Sequence, residues 1–332
     1  MLGRPETPRD LRSQVGKGGR PAFIAVVLLI VVGTAASAPF ATTGNALNVL
    51  RQVAPLGVLA LGQTIVLLAG GIDLSVGMLI GLAVPLGALT MAGNDAQVVP
   101  AILVMLGLGL AVGIVNGVLV AWAGAHPFVL TFGMMALLQG VTFLLTNYRT
   151  VGKTAPSFAA FFTAEFGLPG AAWVLTVLAL ATGFVLRYTR LGRYLLATGS
   201  HAEYARRAGI RVKRTTLIAY VLSGLFAGFG AVLVLGRLQA GYPLAGSGFE
   251  LQAIVAAILG GAAFSGGQGS VFGALAGALV LALVANLLNL LGVSAYLQQV
   301  VMGGIIVGVV GLRAATGRRR FLVHSWTNAK AP

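Results

Sequence analysis

Apolar positions run along this chain in blocks of about twenty residues, parted by short polar or glycine-rich stretches. A helix needs about 20 apolar residues to cross a bilayer. Blocks of that size fall at about 21–40, 46–69, 75–92, 98–123, 127–146, 170–188, 215–236, 250–264, 270–291 and 295–312. The pattern predicts an all-α polytopic membrane protein with about ten transmembrane helices. The second and third blocks are nearly continuous. From Ala54 to Ala92 the only clearly polar side chains are Gln63, Thr64, Asp73, Ser75 and Thr90. The string Gly70-Gly71-Ile72-Asp73-Leu74-Ser75-Val76-Gly77 can break that run. A glycine after a helix takes the left-handed conformation cheaply, and Asp73 or Ser75 can cap the helix that follows. Broken or half-helices are therefore expected. An acid at membrane depth is expected to face a bundle interior or an aqueous cavity.

Charge orders these blocks. Only 9% of residues are charged and 58% are hydrophobic, against roughly 25% charged in a soluble domain. The net charge is +15, and the cations cluster in three places. One is the N-terminal tail with Arg4, Arg9, Arg12, Lys17 and Arg20. The second is a loop over about 189–213, bounded by Arg187 and Arg214. The third is the C-terminal tail with Arg313, Arg318, Arg319, Arg320 and Lys330. Six blocks separate the first cluster from the second, and four separate the second from the third. The positive-inside rule then puts all three on the cytoplasmic side. The organisation expected is a basic cytoplasmic tail at 1–20, a membrane domain at 21–313 and a second basic tail at 314–332. Eight spans would also fit if two blocks are re-entrant. Cations that flank apolar spans in this way argue against nucleic acid as a partner and for the lipid bilayer. The first block is longer than the ~7–15 residues of a signal-peptide core. It reads as an uncleaved span, although Ala36-Ser37-Ala38 resembles a cleavage site.

Few groups offer chemistry. Gly152-Lys153-Thr154 resembles the end of a phosphate-binding loop, but Asn147 stands where that motif needs glycine. His126, His201 and His324 are scattered, and there is no cysteine, so no metal site is expected. No nucleophile–base pair is evident. Asp73 and Glu250, the latter read as near the outer end of its span, are the only carboxylates close to apolar blocks. That scarcity argues against a carrier driven by an ion gradient, which buries ionisable groups along its path. Glycine supplies 48 of 332 residues, about twice the usual ~7%. Four ridges have the four-residue spacing of closely packed membrane helices. They are Gly109/Gly113/Gly117, Gly224/Gly228, Gly269/Gly273/Gly277 and Gly304/Gly308. Packing within one subunit is the expectation for them. The string at Gly70 also has a weak echo in Gly260-Gly261-Ala262-Ala263-Phe264-Ser265-Gly266-Gly267, for which chance is the simpler account.

The basic loop holds a short helix-forming stretch, Ala202–Ala208, between Gly199 and Gly209. Such a helix can dock into a groove on another protein or lie solvated among lipid headgroups. Three strings now coincide. The first is Gly62-Gln63-Thr64 with Gly70-Gly71-Ile72-Asp73-Leu74-Ser75-Val76-Gly77. The second is the loop Gly199-Ser200-His201-Ala202-Glu203-Tyr204-Ala205-Arg206-Arg207-Ala208-Gly209-Ile210. The third is Gly246-Ser247-Gly248-Phe249-Glu250-Leu251-Gln252-Ala253-Ile254, continuing through Gly260-Gly261 to Ser265-Gly266-Gly267-Gln268-Gly269-Ser270. Asn286, Asn289-Leu290-Leu291-Gly292 and Tyr296-Leu297-Gln298 follow. In order and spacing, over about 48–311, these resemble the permease subunit of ribose-type ABC importers. Departures lie in the loop, at Tyr204, Ala208 and Ser200-His201, and after the fourth block, at Thr131-Phe132-Gly133 and Gln139-Gly140.

The resemblance implies a pore-forming subunit of the bacterial inner membrane, not an enzyme. It implies pairing with a second permease subunit, as homodimer or heterodimer. Cytoplasmic ABC ATPase subunits would carry the ATP and magnesium, with no cofactor on this chain, and an extracytoplasmic solute-binding protein would deliver a monosaccharide or related small polar solute. Branched-chain amino acid or nucleoside ABC permeases are the related alternatives; an ion-gradient-driven carrier and a membrane scaffold without transport are the unrelated ones. For ATPase docking the resemblance points to Gly199, Glu203, Ala205, Arg206, Arg207 and Gly209. The candidates for helix breaks or the solute pathway are Gln63, Gly70, Gly71, Asp73, Ser75, Glu250, Gly260, Gly261 and Asn286. For Asp73 a cap or helix-break role is preferred over solute contact.

Overall fold

A computed structural model describes residues 19–163, 165–309 and 311. Residues 1–18 and 312–332, with most of the two basic tails, lie outside the described residues. In chain order the helices are α1 (Arg20–Ala36), α2 (Thr43–Leu68), α3 (Ser75–Met91), α4 (Val98–Ala121), α5 (Pro127–Thr146), α6 (Pro156–Thr163) and α7 (Gly170–Tyr188). Then come α8 (Arg190–Ser200), α9 (Ala202–Arg207), α10 (Val212–Leu238), α11 (Phe249–Leu259), α12 (Val271–Leu290) and α13 (Ala295–Val309). A two-residue antiparallel ribbon, Glu165–Phe166 with Leu168–Pro169, interrupts the otherwise helical chain.

By length and composition, six helices can cross a membrane: α2, α4, α5, α7, α10 and α12. Four others, α1, α3, α11 and α13, are apolar but shorter. The expectation of about ten crossing helices is thus reduced to six on this measure, and local chemistry explains the shortening. Proline at position 39 follows α1, and a 3₁₀ turn, Ala38–Ala41, replaces further α-helix. The break before Ser75 shortens α3. Gly260 and Gly261 end α11 after 11 residues, about 16 Å of helix. A full span over 250–264 is therefore not formed.

The bundle is built around α2, whose apolar window is 83% buried, whereas those of α5 and α7 are 17% and 22% buried. Helix α2 packs against α10, α11, α12 and α7. The most extensive pairing joins α4 to α10, and glycine is the reason. A Cβ at Gly109 would fall on the Gly224 carbonyl, and one at Gly113 would lie 2.6 Å from the Tyr220 carbonyl. Backbones that close gain dispersion contact where no hydrophobic drive operates. Gly273 and Gly277 likewise meet Gly260 and Ala256 of α11. Three of the four ridges thus pack within the chain. Gly304 and Gly308 face open space instead.

Candidate functional site

The break between α2 and α3 is closed by polar groups. Helix α2 ends in a left-handed turn: the Gly70 amide donates to Leu67 and the Gly71 amide to Val66, with φ +83° at Gly70. Asp73 follows, almost wholly buried. Its Oδ1 accepts from the Ser75 amide (3.0 Å) and the Ser75 hydroxyl (2.6 Å), and its Oδ2 accepts from the Ser223 hydroxyl of α10 (2.8 Å). The Ser75 oxygen in turn accepts from the Asn116 amide of α4 (2.9 Å). The Ile72 carbonyl accepts from the Tyr220 hydroxyl of α10 (3.2 Å). The Leu74 amide donates to Thr131 of α5 (3.1 Å). One five-residue break thus ties together α3, α4, α5 and α10. An unpaired carboxylate there would cost several kcal/mol; three donors, one of them a backbone amide, offset that desolvation. Asn116, Thr131, Tyr220 and Ser223 are members that sequence reasoning missed. Isolated polar residues in apolar blocks were the available signal.

The basic loop packs against the end of α2. Gly199, in the last turn of α8, sits against the end of α2 and the string at 260–270. A Cβ on it would strike the Leu68 carbonyl and lie 2.7 Å from the Gly267 amide nitrogen. That amide donates to the Leu68 carbonyl (3.2 Å). The two glycine strings that echo each other in sequence therefore both pack on Gly199, with Gly70 and Gly266 each against its backbone. In α9, Ala205 is buried and Glu203 is exposed. Glu203 pairs with Arg206 (2.7 Å) and Arg207 (3.3 Å), both exposed. Gly209, at φ +81°, ends α9.

The other candidates stand apart. Asn286 of α12 forms a reciprocal amide pair with Asn45 at the start of α2 (2.8 and 3.0 Å). Gln63 is fully buried in α2, and neither side-chain polar atom has a partner among the described residues. Gly260 packs on Gly273, and Gly261, at φ +97°, turns the chain after α11. Glu250 lies in the first turn of α11 against Gly77. Gly77 belongs to the first turn of α3, so Glu250 sits beside the Asp73 break. Among the described residues no group of three or more His, Cys, Asp or Glu could hold a metal ion.

Residues 45–310 match the family described as branched-chain amino acid transport system / permease component. The chain belongs to this permease family. It is 38% identical over 291 residues to the ribose import permease protein RbsC of Escherichia coli K12, covering 86% of this chain and 90% of that one. It is 37% identical to the D-allose transport system permease protein AlsC of the same strain, over 87% of this chain and 89% of that one. Bacillus subtilis RbsC is 35% identical over 86% and 89%. No solved structure matches. With six helices able to cross a bilayer, this family member is a multi-pass membrane protein and the permease component of an ABC importer.

Proposed function

We propose that this permease forms the translocation pathway of an ATP-driven importer for a monosaccharide or closely related polyol. The observation that carries the reading is near-full-length identity of 33–38% to permeases named for ribose and allose. In this reading both termini and the loop over α8 and α9 face the cytoplasm of a bacterial inner membrane. The shorter helices α1, α3, α11 and α13 complete the membrane domain. ATP and magnesium reside on separate ATPase subunits. An extracytoplasmic binding protein delivers the solute, and a second permease subunit completes the pore. ATP drives import by favouring one conformation of the permease over another.

The ATPase would meet α9. Glu203 and its two arginines are exposed, and an exposed pair is worth little by itself, so their charges are free to re-pair with a partner. Ala205 is buried and supports α9 from behind. The test is mild-detergent purification of tagged chain and of Glu203→Arg from the native membrane, with mass spectrometry of what accompanies each. The expected result is a P-loop ATPase with the parent, depleted at least severalfold from the variant. Absence of any ATPase from the parent, together with sugar uptake that survives ATP depletion and stops with an uncoupler, would replace the importer with a gradient-driven carrier.

A further inference from the structure

The chain between α10 and α11 does not stay at the end of the bundle. Gly241 bridges to Val151 and packs against Pro85 and Ala88 in the second half of α3. The Pro243 carbonyl then lies against Gly81, and Gly246 presses on Gly77 in the first turn of α3. From Ala88 to Gly77 is eleven residues, about 16 Å along α3. A second marker gives the depth. Gly230 of α10 packs beside Ile80 and Leu59, and Gly77 lies nearly one turn below Ile80. This level is about 16 Å from the Leu238 end of α10, whose 27 residues span about 40 Å. Residues 239–248 thus descend as non-helical backbone to about the middle of the membrane layer. Helix α11 starts there, at Gly248 with φ +84°, and runs past Leu74 to Gly260.

One side of this strip is packed on the glycines of α3. The other side is open. Tyr242, Leu244, Ser247 and Leu251 are exposed. Among the described residues the Leu244 amide and the Ala245 and Ser247 carbonyls make no hydrogen bond. Neither do the Tyr242 and Ser247 hydroxyls or the Gln252 side-chain amide. Backbone of this kind at membrane depth is excluded from lipid; it must be buried in protein or line water. Resting on the importer reading, we propose that residues 242–252 wall the aqueous solute path at mid-membrane, where Tyr242, Ser247 and Gln252 meet a polyhydroxylated solute. The chemistry suits such a ligand: an aromatic face for sugar C–H groups, and hydroxyl and amide groups to exchange water for solute hydroxyls.

The chain contains no cysteine, so Ser247→Cys gives a single reporter thiol. The complex with its ATPase and binding protein is placed in proteoliposomes and treated with a sulfonated, membrane-impermeant methanethiosulfonate. Leu180→Cys, on the exposed face of α7, is the lipid-facing control, and Gln252→Cys is a second strip position should Ser247→Cys fold poorly. The expected result is modification of the strip thiol an order of magnitude faster than the control, with uptake of D-ribose or D-allose falling in step. Modification no faster than at Leu180→Cys overturns the proposal. So does an oxidant-induced disulfide joining two copies of the Ser247→Cys chain without reagent labelling, which would make the strip a subunit contact. So does full labelling that leaves uptake intact. Failure of the importer reading is separate: it appears as no ATP-dependent uptake by the cysteine-free parent, whatever the thiol labelling.

Discussion

Two breaks in helical structure lie side by side near the middle of this molecule, and they are built in opposite ways. Between α2 and α3, the Asp73 carboxylate finds all its donors within the protein and the break is tied to four helices, with the Asn116 Oδ1 left buried without a partner among the described residues. Between α10 and α11, turns bond the amides of Tyr242, Ala245 and Ser247, but the Leu244 amide, the Ala245 and Ser247 carbonyls and the Tyr242 and Ser247 hydroxyls have no partner among the described residues. Burial of a polar group is tolerated only with a partner. The first break is therefore a joint whose carboxylate is held entirely by the protein. The second leaves exposed polar groups that can hydrogen-bond to something outside the chain. A break in a membrane helix thus has no single meaning; its meaning lies in where its polar groups go.

Substitutions can break this contrast. Asp73→Ala should have the largest effect. It strips the acceptor from the Ser75 amide and from two buried hydroxyls, at roughly 1–3 kcal/mol for each group left unsatisfied. Little folded protein should survive detergent extraction, as read by size-exclusion chromatography; a normal monodisperse peak would refute the joint. Next comes Gly246→Ala, whose Cβ would collide with the Gly77 carbonyl. Overpacking of this kind costs about 1–3 kcal/mol and should appear as a lowered thermal midpoint. Asp73→Asn should be milder. Its amide can donate to Ser223 while its oxygen keeps the Ser75 amide, so uptake should be retained and the loss held to about 1 kcal/mol. Abolished uptake with normal membrane insertion would assign the charge itself a role in transport. The smallest effect on stability belongs to Ser247→Ala, within about 0.5 kcal/mol, although it adjoins the intolerant Gly246. A large loss there would mean that the open side of the strip is packed after all.

Much of this was legible in the sequence. Helix α5 runs from Pro127 to Thr146 as read, because proline starts it and Asn147, at φ +48°, stops it. The glycine ridge of α4 declared a close helix contact, and the Gly-Gly-Ile-Asp string declared a break. What the sequence hid was depth. An apolar run beginning near Glu250 has the same periodicity whether it starts at the membrane surface or halfway across. Nothing local says that residues 239–248 dive alongside α3. Partner identity was hidden as well. Asn286 looks like a pathway residue until Asn45, 241 positions away, is found opposite it. Gln63 shows the converse: its burial was foreseeable from its apolar block, but its lack of a partner among the described residues was not.

The Gly199 junction has a mechanical consequence. Side chains at an interface act as springs, since rotamers can change before the backbone moves. Here the main chain of α8 touches the main chain at Leu68 and Gly267 directly, with no side chain between to yield. A displacement imposed on the basic loop would therefore reach both glycine strings with almost no slack. A single missing Cβ makes this joint stiff.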